Sequence, residues 1–157
     1  MTPGCAKRLR AELKKLLYTD RPTLAKAARI AAEEGDRSEN YEYQATKRAM
    51  RKMDGRIHFL TKRIESLEVV DPVKQGDIAN GRVLFGATVT VEDDEGEEKV
   101  YSIVGIDEYD GGKGKVSWVS PIGKALLGRS EGDSVSFVTP GGVSELEIVK
   151  VEYTAID

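Results

Sequence analysis

From Met50 onward the apolar residues Met50, Met53, Ile57, Leu60, Ile64 and Leu67 step by 3, 4, 3, 4 and 3. That spacing is the a/d seam of a coiled coil. Extended back to about Glu39, such a helix holds roughly 31 residues and is about 45 Å long. A chain of 157 residues cannot wrap a rod of that length, so the seam needs a partner helix. Upstream, Leu9, Leu13 and Leu16 make a similar seam, and Leu24, Ala27, Ala28 and Ala31 continue it with smaller side chains. Pro22 interrupts this first helix, because proline removes a hydrogen bond and clashes with the preceding turn; a break or kink is predicted near Thr19 to Pro22. Gly35 then supplies a stop and the chain reverses. Residues 1–75 thus read as an antiparallel coiled-coil hairpin with its tip at Gly35-Asp36-Arg37-Ser38-Glu39-Asn40, slender at that end because the facing residues are alanines.

After Val70 the helical period ends, and Asp71-Pro72 followed by Gly76 reads as a linker. Beyond it the period is two. Ala87 to Val91 alternates, Asp93-Asp94-Glu95-Gly96 turns, and Val100 to Val104 returns, as in a β-hairpin. Further strands are expected at Val116 to Val119, Ser134 to Val138 and Leu146 to Val151. Ser120-Pro121 starts a short helix as N-cap and first residue, and Gly128 ends it. The class is therefore α+β, with residues 76–157 a small antiparallel sheet carrying one short helix.

Charge divides at the same place. Met1 to Gln75 carries 17 Lys+Arg and 11 Asp+Glu, a net +6, whereas Gly76 to Asp157 carries 7 and 16, a net −9. The first half attracts phosphate and the second suits a basic protein surface. One Cys and one His exclude a disulfide scaffold and leave no zinc site of those ligands. No stretch approaches the ~20 apolar residues of a membrane span, and the N-terminus lacks a signal-peptide core, so a cytoplasmic protein without a membrane partner is expected.

The tip Gly35-Asp36-Arg37-Ser38-Glu39-Asn40, Tyr43-Gln44 and the basic helix after it, Gly81-Arg82-Val83-Leu84-Phe85-Gly86-Ala87, Ile103-Val104-Gly105, Ser120-Pro121-Ile122, Thr139-Pro140-Gly141-Gly142 and Val151-Glu152-Tyr153 together resemble the bacterial GreA/GreB transcript cleavage factors. The likeness spans nearly the whole chain, and the tip with its many bases looks closer to the GreB branch. It implies a monomer whose coiled-coil hairpin enters the secondary channel of RNA polymerase while an FKBP-like C-terminal domain docks on the channel rim. It further implies that Asp36 and Glu39 help hold a Mg²⁺ ion shared with the polymerase, which then cuts the 3′ end of backtracked RNA. The protein would be a catalytic cofactor rather than an enzyme, binding no Mg²⁺ tightly alone. The alternative is a secondary-channel binder that modulates or inhibits transcription without stimulating cleavage; relatives of that kind tend to alter the acidic tip, which is retained here.

Two carboxylates suit Mg²⁺, which takes hard oxygen ligands and lowers the pKa of its water. The same spacing also makes a capping box, in which Asp36 accepts from the amide of Glu39 while Glu39 reaches back. Ser38 is an alternative N-cap that would free Asp36, and Asn40 lies beside it as tip support. Arg48, Lys52 and Arg56 fall at i, i+4 and i+8, off the seam, with Arg51 and Lys47 nearby; they form either a solvated face or an RNA-phosphate contact. Arg37 could touch a phosphate or keep the tip soluble. Docking in the family uses the loop into the short helix, here Trp118-Val119-Ser120-Pro121-Ile122, with Ser120, Pro121 and Ile122 as partner-binding candidates. Val119 stands where the family usually has a polar residue.

Other acidic and glycine-rich runs point to no chemistry. Asp107-Glu108 reads as an exposed loop pair, Asp93 to Glu98 as a hairpin tip without EF-hand spacing, and Gly111 to Lys115 as a turn lacking the P-loop pattern. Trp118 is expected to fill the small core. His58 is expected to be a partly exposed helix residue.

Overall fold

The computed structural model describes residues 1–33 and 41–157, which form two compact units: Ala6–Leu67, and Met1–Cys5 with Glu68–Asp157.

In the first unit, α1 (Pro3–Lys15) runs into a π-helical turn, Leu16–Asp20, and then α2 (Arg21–Glu33). The amide of Arg21 bonds to the carbonyl of Leu16, five residues back. The break expected at Thr19 to Pro22 is therefore a widened turn: the extra residue relieves the clash of the Pro22 ring without ending the helix. Thr23 donates its hydroxyl to the Thr19 carbonyl at 2.8 Å, satisfying an acceptor in the disturbed turn. The long helix α3 (Tyr41–Ser66) follows. All six residues of its seam are shielded to some degree, and Leu60 is fully buried. Opposite them Leu9, Leu13, Leu16 and Leu24 are half-buried, and Ala28 and Ala31 buried; Ala27, expected on the seam, faces solvent.

The second unit contains α4 (Pro72–Ala79), β1 (Thr88–Glu92), β2 (Glu98–Val104), β3 (Lys115–Ser117), α5 (Pro121–Leu126), β4 (Ser134–Thr139) and β5 (Gly142–Glu152). Where a linker was expected there is a helix. Asp71 caps it by accepting from the Val73 amide at 3.0 Å, and Pro72 occupies its first turn. Asp-Pro is both a break signal and a helix start, and eight residues are too few for a visible period. The expected domain boundary between residues 75 and 76 falls inside α4.

The strands form one sheet in the order β3-β2-β1-β5-β4. It is mixed rather than wholly antiparallel, because β3 pairs parallel with β2, Ile103 opposite Val116. The tight β2–β3 connection depends on Gly114 in the left-handed region, where a Cβ would lie 2.6 Å from the Val100 carbonyl. It depends also on Glu108. Its carboxylate, expected to be exposed, is buried at 6% and accepts from the amides of Gly105 (2.8 Å) and Thr2 (3.1 Å) and from the Thr2 hydroxyl. A buried carboxylate satisfied by several donors is structural.

The alternation of β1 sends Val89 and Val91 inward onto Ile103, Val116, Leu126, Val135 and Ile148. Helix α5 closes this core. Ser120 accepts from the Gly123 amide at 3.1 Å as N-cap, and a Cβ on Gly123 would meet the Ser117 carbonyl at 2.2 Å. Gly123→Ala should therefore force α5 off the sheet and lower stability by about 2 kcal/mol or more. Urea unfolding followed by circular dichroism checks this; an unchanged midpoint would show that the helix shifts freely.

Candidate functional site

The expected catalytic and metal pair Asp36 and Glu39, with Arg37, Ser38 and Asn40, lies outside the described residues, as does Gly35. What the structure describes is the helix pair that carries them. Between Ala25 and Ala32 on α2 and Tyr43 to Met50 on α3, small side chains face the partner, and Ala28 and Ala31 are buried. Alanine lets two helix backbones approach closely, which favours a slender helix pair at this end. Lys47 lies over the Tyr43 ring, 5.7 Å from its centre.

Farther from the tip the basic stripe divides. Arg48, Arg51 and Lys52 are exposed and have no ion pair among the described residues. Arg56, exposed as the spacing predicts, is also engaged within the hairpin. Its guanidinium donates to both oxygens of Glu12 at 2.7 and 2.9 Å and sits 5.3 Å from the Phe59 ring centre, whose other neighbour is Arg63 at 4.9 Å. Arg21 likewise donates to Asp54 at 2.7 Å. These cross-helix pairs join opposite strands of the hairpin, and their side chains are well exposed. The i, i+4, i+8 spacing placed Arg56 on the outer face correctly. It could not show that Glu12 would arrive there from the other helix.

The C-terminal candidates also divide. Ser120 is committed to the α5 cap and donates to the Ser117 carbonyl at 2.6 Å. Ile122 packs against the core, and Pro121 is exposed. Trp118, expected inside, is 46% exposed, and Val119 beside it 39%. The amide of Trp118 bonds to the Val104 carbonyl at 2.9 Å, which continues the strand pairing while the indole turns outward. The surface that this loop offers is therefore Trp118, Val119 and Pro121, apolar and held rigid by the Ser120 cap and by Pro121. Tyr153 fixes the other end of the core: its hydroxyl accepts from the Leu84 amide at 2.9 Å and donates to the Arg82 carbonyl. Burial pushes its ionisation up, so it remains a donor at neutral pH.

Among the described residues no three His, Cys, Asp or Glu side chains converge on a point that could hold a metal ion. No described helix is long and apolar enough to cross a membrane.

The hydrogen bond from Arg56 holds the Glu12 carboxyl below its ordinary value of 4.5, against the opposing effect of burial. A carboxyl lowered in the folded state adds stability above its unfolded pKa, and loses it as pH falls through the folded value. The unfolding-temperature gap between the wild type and Glu12→Gln should therefore close as pH drops below 4.5. Because the pair is exposed, the gap at neutral pH corresponds to less than about 1 kcal/mol. A gap constant across that range would mean that the pair contributes no stability.

Residues 1–69 match the family described as transcription elongation factor, N-terminal, and residues 78–153 that described as transcription elongation factor, GreA/GreB, C-terminal. Over 157 residues the chain is 46% identical to transcription elongation factor GreB of Neisseria meningitidis serogroup B, covering all of this chain and 95% of that protein. Over 155 residues it is 43% identical to transcription elongation factor GreA of Alkalilimnicola ehrlichii, covering 98% and 97%. A solved GreA/GreB elongation factor from Nitrosomonas europaea is 34% identical over 63% of this chain and 80% of its own, with a TM-score of 0.44. With relatives above 40% identity over nearly their full length and a match in each half, the chain belongs to the GreA/GreB family of transcription elongation factors.

Proposed function

We propose that this protein stimulates RNA polymerase to cleave the 3′ end of backtracked RNA, acting through the polymerase's secondary channel and thereby rescuing arrested complexes. The observation that carries the reading is the alanine-faced helix pair, whose connecting segment holds Asp36 and Glu39. A probe of two helices can enter a channel closed to a globular domain, and two carboxylates are the donors that a hydrolytic Mg²⁺ site uses.

The donor set fits a shared ion. Mg²⁺ prefers six oxygens in an octahedron, and Asp36 and Glu39 supply only part of that shell, with the polymerase and RNA supplying the rest. When bound, the ion lowers the pKa of its water and neutralises charge on the phosphate. Asp36 and Glu39 would retain that ion and orient its water, which would make the protein a catalytic cofactor of another enzyme. The exposed cations Arg48, Arg51 and Lys52 meet RNA phosphates along the hairpin, with Arg37 contributing at the tip. Arg56, paired with Glu12, acts chiefly within the hairpin. On the C-terminal unit, Trp118, Val119 and Pro121 dock the rim of the channel, with Ser120 shaping the loop and Ile122 anchoring it to the core. An apolar contact there suits Val119, which replaces the polar residue usual in the family.

In a stalled, backtracked complex, Asp36→Ala/Glu39→Ala should still fold and bind, losing at most about 1 to 2 kcal/mol from a cap, yet release no 3′ fragment. Cleavage at the wild-type rate would overturn the assignment of the tip. If the wild type itself binds and releases nothing, the protein modulates the channel instead. Replacing Arg48 and Lys52 by Ala should weaken association and reduce its dependence on salt by roughly one unit of log-log slope per lost phosphate contact. An unchanged slope would mean that these cations face only water.

A further inference from the structure

At the end of the sheet that holds the β1–β2 turn, away from the Trp118 to Ile122 loop, the strands enclose an open groove of about 360 Å³. The register separates the two places. Ser102 to Val104 of β2 pairs with β3 beside that loop, whereas Lys99 pairs with Val91 at the other end of the ribbon. The floor is apolar and aromatic: Tyr101, Phe137, Val143 and Leu146, over the buried Val91. The rim is acidic: Asp93, Asp94, Glu95 and Glu97 on one side and Glu145 on the other, with Lys99 the single cation in the lining.

Asp93 is already used, accepting from the Glu95 and Glu97 amides at 2.9 Å to hold its turn. Asp94, Glu95, Glu97 and Glu145 have no ion pair among the described residues. They are four carboxylates against one lysine, on a half of the chain with net charge −9. An anionic ligand would be repelled. A single metal ion does not fit either, since no three of these carboxylates converge on one point. Separated negative charges around an aromatic floor match separated positive charges on aliphatic stems, where guanidinium or ammonium heads reach the rim and an apolar side chain sits on Tyr101 and Phe137.

We propose that this groove docks an extended basic segment of a partner protein, with at least two Lys or Arg flanking an apolar residue. The site is independent of the acidic tip and of the rim-docking loop, so it survives whatever becomes of the cleavage reading.

Fluorescence anisotropy of the full-length protein with a labelled hexapeptide of alternating Arg and Leu tests the proposal. Binding should saturate, while the same peptide with Glu in place of Arg should not bind. Glu97→Gln/Glu145→Gln should weaken binding about five- to tenfold, the sum of two exposed ion pairs. Asp77→Asn/Asp157→Asn makes the same charge change outside the groove, on α4 and beyond the end of β5 that pairs with Thr88, and should alter binding less than about twofold, as expected of charges remote from a contact. Phe137→Ala should weaken binding with the fold confirmed by circular dichroism. Equal losses from the two double variants would reduce the effect to general attraction and overturn the proposal, as would failure to saturate. Sedimentation showing a dimer that Glu97→Gln/Glu145→Gln dissolves would also overturn it, by making a second copy's basic helices the occupant.

Discussion

The helical unit depends on one constraint: the seam of α3 is apolar along most of its length and must be covered. Only another helix presenting a matching stripe can cover it, which is why a leucine stripe from Leu9 to Leu24 matches the seam and Ala28 and Ala31 lie against Glu42 to Met50. The side chains of the covering helix change size along its length. Leucines fill the wider part, and alanines let the backbones close together toward the tip.

The π-helical turn at Leu16–Asp20 follows from the same constraint. Pro22 should break a helix, but the seam on either side of it must stay in contact with α3. One extra residue in a widened turn accommodates the ring and preserves the direction of the helix. Exposed ion pairs, Glu12 with Arg56 and Arg21 with Asp54, then link the two helices. Such pairs add little stability, yet they set Arg21 and Arg56 apart from Arg48, Arg51 and Lys52, which have no ion pair among the described residues.

In the C-terminal unit, exposure is separated from packing residue by residue within single loops. Ser120 and Ile122 build the loop while Trp118, Val119 and Pro121 are presented by it. Glu108 shows the reverse. An acidic residue in an acidic half looks like a surface group, but three donors surround it and make it part of the framework. Buried polar groups persist only when satisfied in this way.

Periodicity and local turn chemistry determined much of this protein without further help: the two-helix seam, the site of the helix irregularity, the β1–β2 hairpin, the Ser120-Pro121 helix start and the opposed charge of the two halves are all short-range patterns. The family was legible for the same reason, since its motifs are contiguous. Tertiary structure decided what depends on residues distant in the chain. Glu12 reaches Arg56 across 44 positions and Thr2 reaches Glu108 across 106, so neither engagement leaves a local trace. The parallel pairing of β3, the outward turn of Trp118 and the helix at Pro72–Ala79 were likewise hidden, because three-residue and eight-residue elements are too short to show a period. Their form is set by what the rest of the sheet leaves open to them.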